Sequence, residues 1–195
     1  MHDHPIIQKL NEFCNIPENL APQILDAFKV KKLQKEKTVV REGFTNRSVY
    51  FLHTGIIRRY HISQLGHQKT TAFVTSNNFF TDLKSFQTRK SSATSFNTET
   101  DCTIYSIDFF VLQALKSIDP TINEAFTKAQ DYYVKLAEDQ THFLTTEPVE
   151  SRVKMMAEEL PTVIAASRKR DIISYLRTNS QTYNFILKNL QSPRS

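Results

Sequence analysis

The residues with the most directed chemistry lie near the C-terminus. A short stretch carries Tyr183, Ile186, Leu187 and Leu190 at helical spacing, so a helix there presents Ser180, Gln181, Asn184 and Lys188 on its other side. A carboxamide donates and accepts at once, and Gln and Asn do both at an adenine edge. Hydroxyls such as those of Ser180 and Thr182 suit phosphates or base edges. Upstream, Arg168-Lys169-Arg170 offers three cations for neutralising phosphate. The net charge of the chain is +5. Residues 161–195 hold Arg168, Lys169, Arg170, Arg177, Lys188 and Arg194 against Asp171 alone, which accounts for the whole excess. A solvated basic face is the plainer reading of the same residues.

Other reactive types do not form a motif. His53, His61 and His67 fall within 15 residues, but His67 lies past a turn and no Glu follows at a useful spacing, so they read as surface or structural histidines. Two cysteines, Cys14 and Cys102, cannot make a four-thiolate metal or cluster site. No Ser-His-Asp pattern, P-loop or paired carboxylate stands out, so an enzyme, a cofactor and a metal are not expected. No run of about 18 apolar residues spans a membrane. The N-terminus MHDHPIIQKLNEF is charged and amphipathic, which leads to the expectation of a reducing cytoplasm.

These side chains need positioning elements, and with 39% hydrophobic and 23% charged residues the chain can fold a core to supply them. Ile6, Ile7, Leu10 and Cys14 predict one short N-terminal helix, and Leu20, Ile24, Leu25 and Phe28 a second, with Pro17 and Pro22 at helix starts. From about residue 30 to 107, short runs rich in Val, Ile, Thr, Phe and Tyr predict strands at 30–33, 38–40, 49–53, 56–62, 70–74, 94–97 and 102–107. All three glycines, Gly43, Gly55 and Gly66, mark turns of this segment. Phe109, Leu112 and Leu115 give a short helix, and Asp119-Pro120 supplies an N-cap and N1 proline for a longer one.

That longer helix carries Ile122, Phe126, Ala129, Tyr133, Leu136, Gln140 and Phe143 at alternating spacings of four and three. Such a seam either packs on the protein's own sheet or pairs with a twin; its narrowness favours a homodimer. Thr145-Thr146-Glu147-Pro148 ends it. A further helix with Val149, Val153, Met156, Ala157 and Leu160 runs to Pro161. Two apolar-patterned segments then flank Arg177-Thr178-Asn179-Ser180, and Asn179 or its hydroxyl neighbours would cap the second. The arrangement is that of a helix-turn-helix.

Three segments in this order resemble the Crp/Fnr family. Glu42-Gly43 followed by Val49 to Tyr60 is similar to its β-roll motif, Ile172-Ile173-Ser174-Tyr175-Leu176 to its first helix-turn-helix element, and Ser180 to Lys188 to its recognition helix. The resemblance implies an α+β chain in three parts. These are an N-terminal double-stranded β-helix (jelly-roll, cyclic-nucleotide-binding-like) effector domain at 1–118, a long dimerisation helix at 119–146, and a winged-helix-type helix-turn-helix at 147–195 with a truncated wing. It implies double-stranded DNA as a partner, a homodimer, an unknown small-molecule effector and RNA polymerase. The DNA contacts would come from Arg168, Lys169, Arg170, Asn179, Ser180, Gln181, Thr182, Asn184 and Lys188. The effector pocket would be lined by Phe80, Thr81, Asp82, Ser91, Ser92 and Ala93. There the family's Gly-Glu pair and phosphate-binding Arg are replaced by Phe80, Thr81 and Ser91, with Asp82 one position off and Arg89 and Lys90 nearby. Cyclic AMP is therefore not the expected effector. The family's turn Gly is Arg177, and its usual Arg before the Ile is Phe185. A module that binds a small molecule or a protein instead of DNA is the alternative on the same fold.

Overall fold

The computed structural model describes residues 3–191; Arg194 of the basic tail and the end where a wing would start lie outside them. Eight strands build two four-stranded antiparallel sheets. One has the order β1 (Lys29–Leu33), β8 (Cys102–Asp108), β3 (Ser48–Thr54), β6 (Asn78–Phe80); the other β2 (Thr38–Val40), β7 (Ser95–Thr98), β4 (Ile56–Ile62), β5 (Gln68–Thr75). Alternation sorts the side chains. Val40, Leu52, Ile57, Phe80, Phe96 and Ile104 meet between the sheets as the core of the roll. Gly55 joins β3 to β4 at φ 108°, where a Cβ would stand 2.5 Å from Cys102 Sγ, so only glycine fits.

The predicted strands all form, and three elements were not anticipated: β6, the short helix α3 (Leu83–Thr88) and α7 (Pro161–Ala166). The first two fill the segment from 78 to 88, which carries neither clean alternation nor a long helical stripe. Pro161 does end the preceding helix, but it also occupies the first turn of α7. Near the N-terminus, α1 (Pro5–Asn11) starts at Pro5 and α2 (Ala21–Asp26) carries Pro22. Pro17 instead accepts a turn hydrogen bond from Leu20 and starts no helix, which corrects that expectation.

After α4 (Phe109–Lys116), the 27-residue α5 (Pro120–Thr146) begins where expected, its first turn capped by Asp119 accepting from Thr121 N at 2.7 Å. Its seam faces inward. Ile122 and Phe126 are buried against Phe51, Phe79 and Ile107 of the sheet and Ile6, Ile7 and Leu10 of α1, and Ala129 is buried as well. The Tyr133 hydroxyl accepts from Phe79 N and donates to Asn78 Oδ1 of β6, and Gln140 donates to Tyr175. Phe143 packs with the C-terminal helices, leaving Leu136 open at 46% exposure. The expectation that this stripe pairs with a twin is thus corrected for its first half: β6 and α1 already cover it.

The last helices are α6 (Val149–Glu159), α7, α8 (Lys169–Tyr175) and α9 (Ser180–Gln191). Their core of Val153, Met156, Val163, Ile172, Tyr175, Leu176, Tyr183 and Ile186 also takes in Ile56 of β4 and Phe73 of β5. Arg152, buried on α6, donates through Nη1 to Leu144 O at 3.2 Å and Leu176 O at 2.6 Å, tying the ends of α5 and α8 together.

Candidate nucleic-acid interface

Helices α8 and α9 form the helix-turn-helix. Leu176 closes α8, and Arg177 then turns the chain at φ 51°, a left-handed conformation glycine adopts more readily. Asn179 is the capping member of the Thr/Asn/Ser trio: its Oδ1 accepts from Thr182 N at 2.9 Å. Tyr183 and Ile186 turn inward, and Gln181, Asn184, Phe185 and Lys188, spaced i, i+3, i+4 and i+7, make one exposed stripe. Asn179 and Ser180 are exposed at its N-terminal end, and Thr182 is half-buried. The residue that sequence reasoning treated only as a loss, Phe185, stands 68% exposed in the centre.

The basic cluster is exposed beside this stripe but partly engaged. Arg168 ion-pairs with Glu36 of the roll, Lys169 Nζ lies 5.9 Å from the Tyr183 ring centre, and Arg170 Nε sits 3.8 Å from Asp171.

Behind the interface, α8 docks on the outer face of β4 and β5 through a buried network that sequence reasoning missed. Arg58 Nε donates to Glu99 Oε1 at 2.7 Å, and its Nη1 lies 3.4 Å from Asp171 Oδ1, all three side chains being under 9% exposed. Arg58 also donates to Gln68, its guanidinium covers Tyr60 at 4.4 Å, and Thr70 N donates to Ser174 Oγ. Tyr175 packs edge-on against Phe73 at 5.4 Å, and its hydroxyl accepts from Gln140 Nε2 at 2.7 Å. Burial in this contact pushes the Tyr175 phenol up to about 12. The sequence signal was two adjacent arginines inside the strand 56–62, and strand alternation sends them to opposite faces.

Arg59 is the other one. It pairs across the sheet with Phe96 and shares a face with Ile57, so it points into the roll, where Nε donates to Thr71 Oγ1 at 3.0 Å. Burial lowers its pKa from the ordinary guanidinium value, and the Asp82 charge partly restores it.

Of the expected effector residues, Asp82, Ser92 and Ala93 bond to one another, and Thr81 is bonded elsewhere in the chain. Asp82 caps α3 by accepting from Ser85 N, and its other oxygen accepts from Ser92 Oγ at 2.5 Å, Ala93 N and Thr94 Oγ1. Thr81 accepts from Asn46 and donates to Ser48 O. Phe80 is buried between the Tyr50 and Phe96 rings. Ser91 is exposed and bridges Thr45. Arg89 lies over Phe109 and Phe110, 5.1 and 5.7 Å from their centres, and Lys90 is exposed. A cavity of about 370 Å³ opens nearby between the end of β2 and β3, lined by Val40, Phe44, Asn46, Arg47 and Tyr50. Among the described residues, no group of three or more His, Cys, Asp or Glu is placed to hold a metal ion. No described helix is long and apolar enough to cross a membrane.

Residues 30–117 match the family model of the cyclic nucleotide-binding domain. A comparison with curated protein sequences found no match. Among solved structures, the chain is similar to FixK2 from Bradyrhizobium japonicum, with a TM-score of 0.71, 19% identity and 84% of each chain covered. It is also similar to the c-di-GMP-responsive global regulator CLP from Xanthomonas campestris, at 0.68 and 16% identity, covering 92% of this chain and 96% of that one. A third is the catabolite activator protein of Thermus thermophilus, at 0.59 and 15% identity over 93% and 86%. The chain therefore carries a cyclic nucleotide-binding domain match at residues 30–117, followed by a long helix and further helices in the fold shared by these three structures.

Proposed function

We propose that this protein is a DNA-binding transcription regulator of the Crp/Fnr type, with α9 entering the major groove. The observation that carries the reading is the capped α9, whose exposed stripe of Gln181, Asn184, Phe185 and Lys188 is backed by a packed helix-turn-helix core. Arg168, Lys169 and Arg170, with Asn179, Ser180 and Thr182, supply the phosphate side of the contact. The active species is a homodimer along α5, where Tyr132 and Leu136, one turn apart, each keep 46% of their surface open. Cyclic AMP is not its effector, because Ser91 offers no guanidinium to a cyclic phosphate and the Asp82 carboxylate is already bonded within the chain. A small-molecule effector would instead meet Arg59 from the roll side. RNA polymerase is the further partner this reading implies.

The test is a fluorescence-anisotropy titration with duplex from the protein's own upstream region at several salt concentrations. Salt-sensitive binding, tighter than to random duplex, is expected. Equal affinity for both would remove specific regulation, and a sedimentation mass of one chain in the DNA-bound state would remove the dimer.

A further inference from the structure

The outward stripe of α9 says which bases it reads. Resting on the DNA-binding reading above, we propose that this regulator recognises A·T-rich half-sites, with Asn184 and Gln181 on adenine and Phe185 against thymine methyl groups. The N-terminal residues of a recognition helix are those that reach base edges. Here these are Gln181, Asn184 and Phe185, all exposed and none charged. Guanine is most often read by a guanidinium or ammonium at O6 and N7, whereas a carboxamide matches the acceptor and donor of adenine N7 and N6. The first two turns of α9 hold two carboxamides and no cation. The exposed arginines among the described residues of this domain sit elsewhere: Arg168 and Arg170 at the start of α8 and Arg177 in the turn, beside the stripe and not within it. They are placed for phosphates, which carry no sequence information.

Phe185 completes the pattern. Lying between Gln181 and Lys188 on the same face, its ring would be driven against the groove floor as the carboxamides engage. The apolar feature of that floor is the thymine C5 methyl, adjacent to the adenine edge of the same base pair. A phenyl ring offers nothing to the amino group of cytosine or the O6 of guanine, so its presence selects against G·C pairs by leaving their polar edges unpartnered.

The experiment uses the full-length chain. Selection from a randomised duplex pool is followed by anisotropy titrations of the selected duplex in three chemical forms. These are the natural one, one with uracil for thymine, and one with 7-deazaadenine for adenine. Enrichment of A·T pairs is expected. Uracil should weaken binding by about fourfold per contacted methyl, and this sensitivity should vanish in Phe185→Ala, an exposed position that the fold does not need. Deazaadenine should weaken binding by roughly 5- to 150-fold; Asn184→Ala should lose part of that discrimination and the Gln181→Ala/Asn184→Ala double variant all of it. Both probes alter only the major groove, so an A·T preference arising from minor-groove width would leave them without effect and would overturn the inference. Tight binding with enriched G·C pairs, or none enriched, also overturns it while leaving DNA binding intact. Failure to bind any duplex removes both.

Discussion

Replacing Arg58 by Met removes the cation between Glu99 and Asp171 and leaves two carboxylates buried without their shared partner. The side chains of Arg58, Glu99 and Asp171 are 5%, 8% and 5% exposed, so water cannot take the guanidinium's place. Breaking a buried ion pair from one side costs about 3–5 kcal/mol. Arg58→Met is therefore expected to lower the unfolding free energy by that amount in urea denaturation followed by far-ultraviolet circular dichroism. The same change should release α8 from β5, since Asp171, Ser174 and Tyr175 share that face. Tryptic cleavage after Arg168, Lys169 and Arg170 should then quicken under native conditions. The control is the triple variant R58M/E99L/D171L. With no charge left, an apolar contact of similar volume should recover stability to within about 1 kcal/mol of the parent. A loss below about 1 kcal/mol for the single variant would refute the network's role. An equal loss in the triple variant would show that shape, not stranded charge, is what Arg58 supplies.

The Tyr175 phenol is raised from 10 to about 12, mainly by burial, so the stability it lends is complete below pH 10 and is lost as pH rises through 12. The full effect is about 3 kcal/mol, and the urea midpoint should fall less between pH 9 and 11.5 in Tyr175→Phe than in the parent; an equal fall would contradict this. Arg177→Gly should raise the thermal midpoint, because it removes a left-handed strain of about 1 kcal/mol, and a lower midpoint would mean that the Arg177 side chain holds the turn. Gly55→Ala should cost at least about 2 kcal/mol in the same denaturation assay, since its Cβ would collide with Cys102 Sγ and Asp101 O.

Much of this architecture was legible because its signals are local. Asp119-Pro120 opens α5, Asn179 caps α9, and the strand run of β4 could be read from Ile56 to Ile62. What the α5 seam packs against was not legible, because periodicity records a face and not its partner. The partner is Phe51, Phe79 and α1, distant in sequence. The Arg58–Glu99–Asp171 contact joins residues 41 and 113 positions apart from Arg58, for the same reason beyond local pattern. Around the effector residues, matching by position placed Asp82 one step away. In the structure Asp82 is the centre of the cluster, since capping α3 brings its carboxylate onto Ser92, Ala93 and Thr94. Phe185 was legible as a residue but not as a surface, and only its exposure gives it a part in the proposed recognition.

The central claim is that α9 is the surface DNA meets. Residue-resolved amide NMR of the full chain, titrated with duplex from its upstream region, tests this most directly. The largest shifts are expected at Ser180, Gln181, Asn184, Phe185 and Lys188, with smaller ones at Arg168 to Arg170 and the roll interior little changed. Shifts centred on the roll or on α5, with α9 silent, would contradict it.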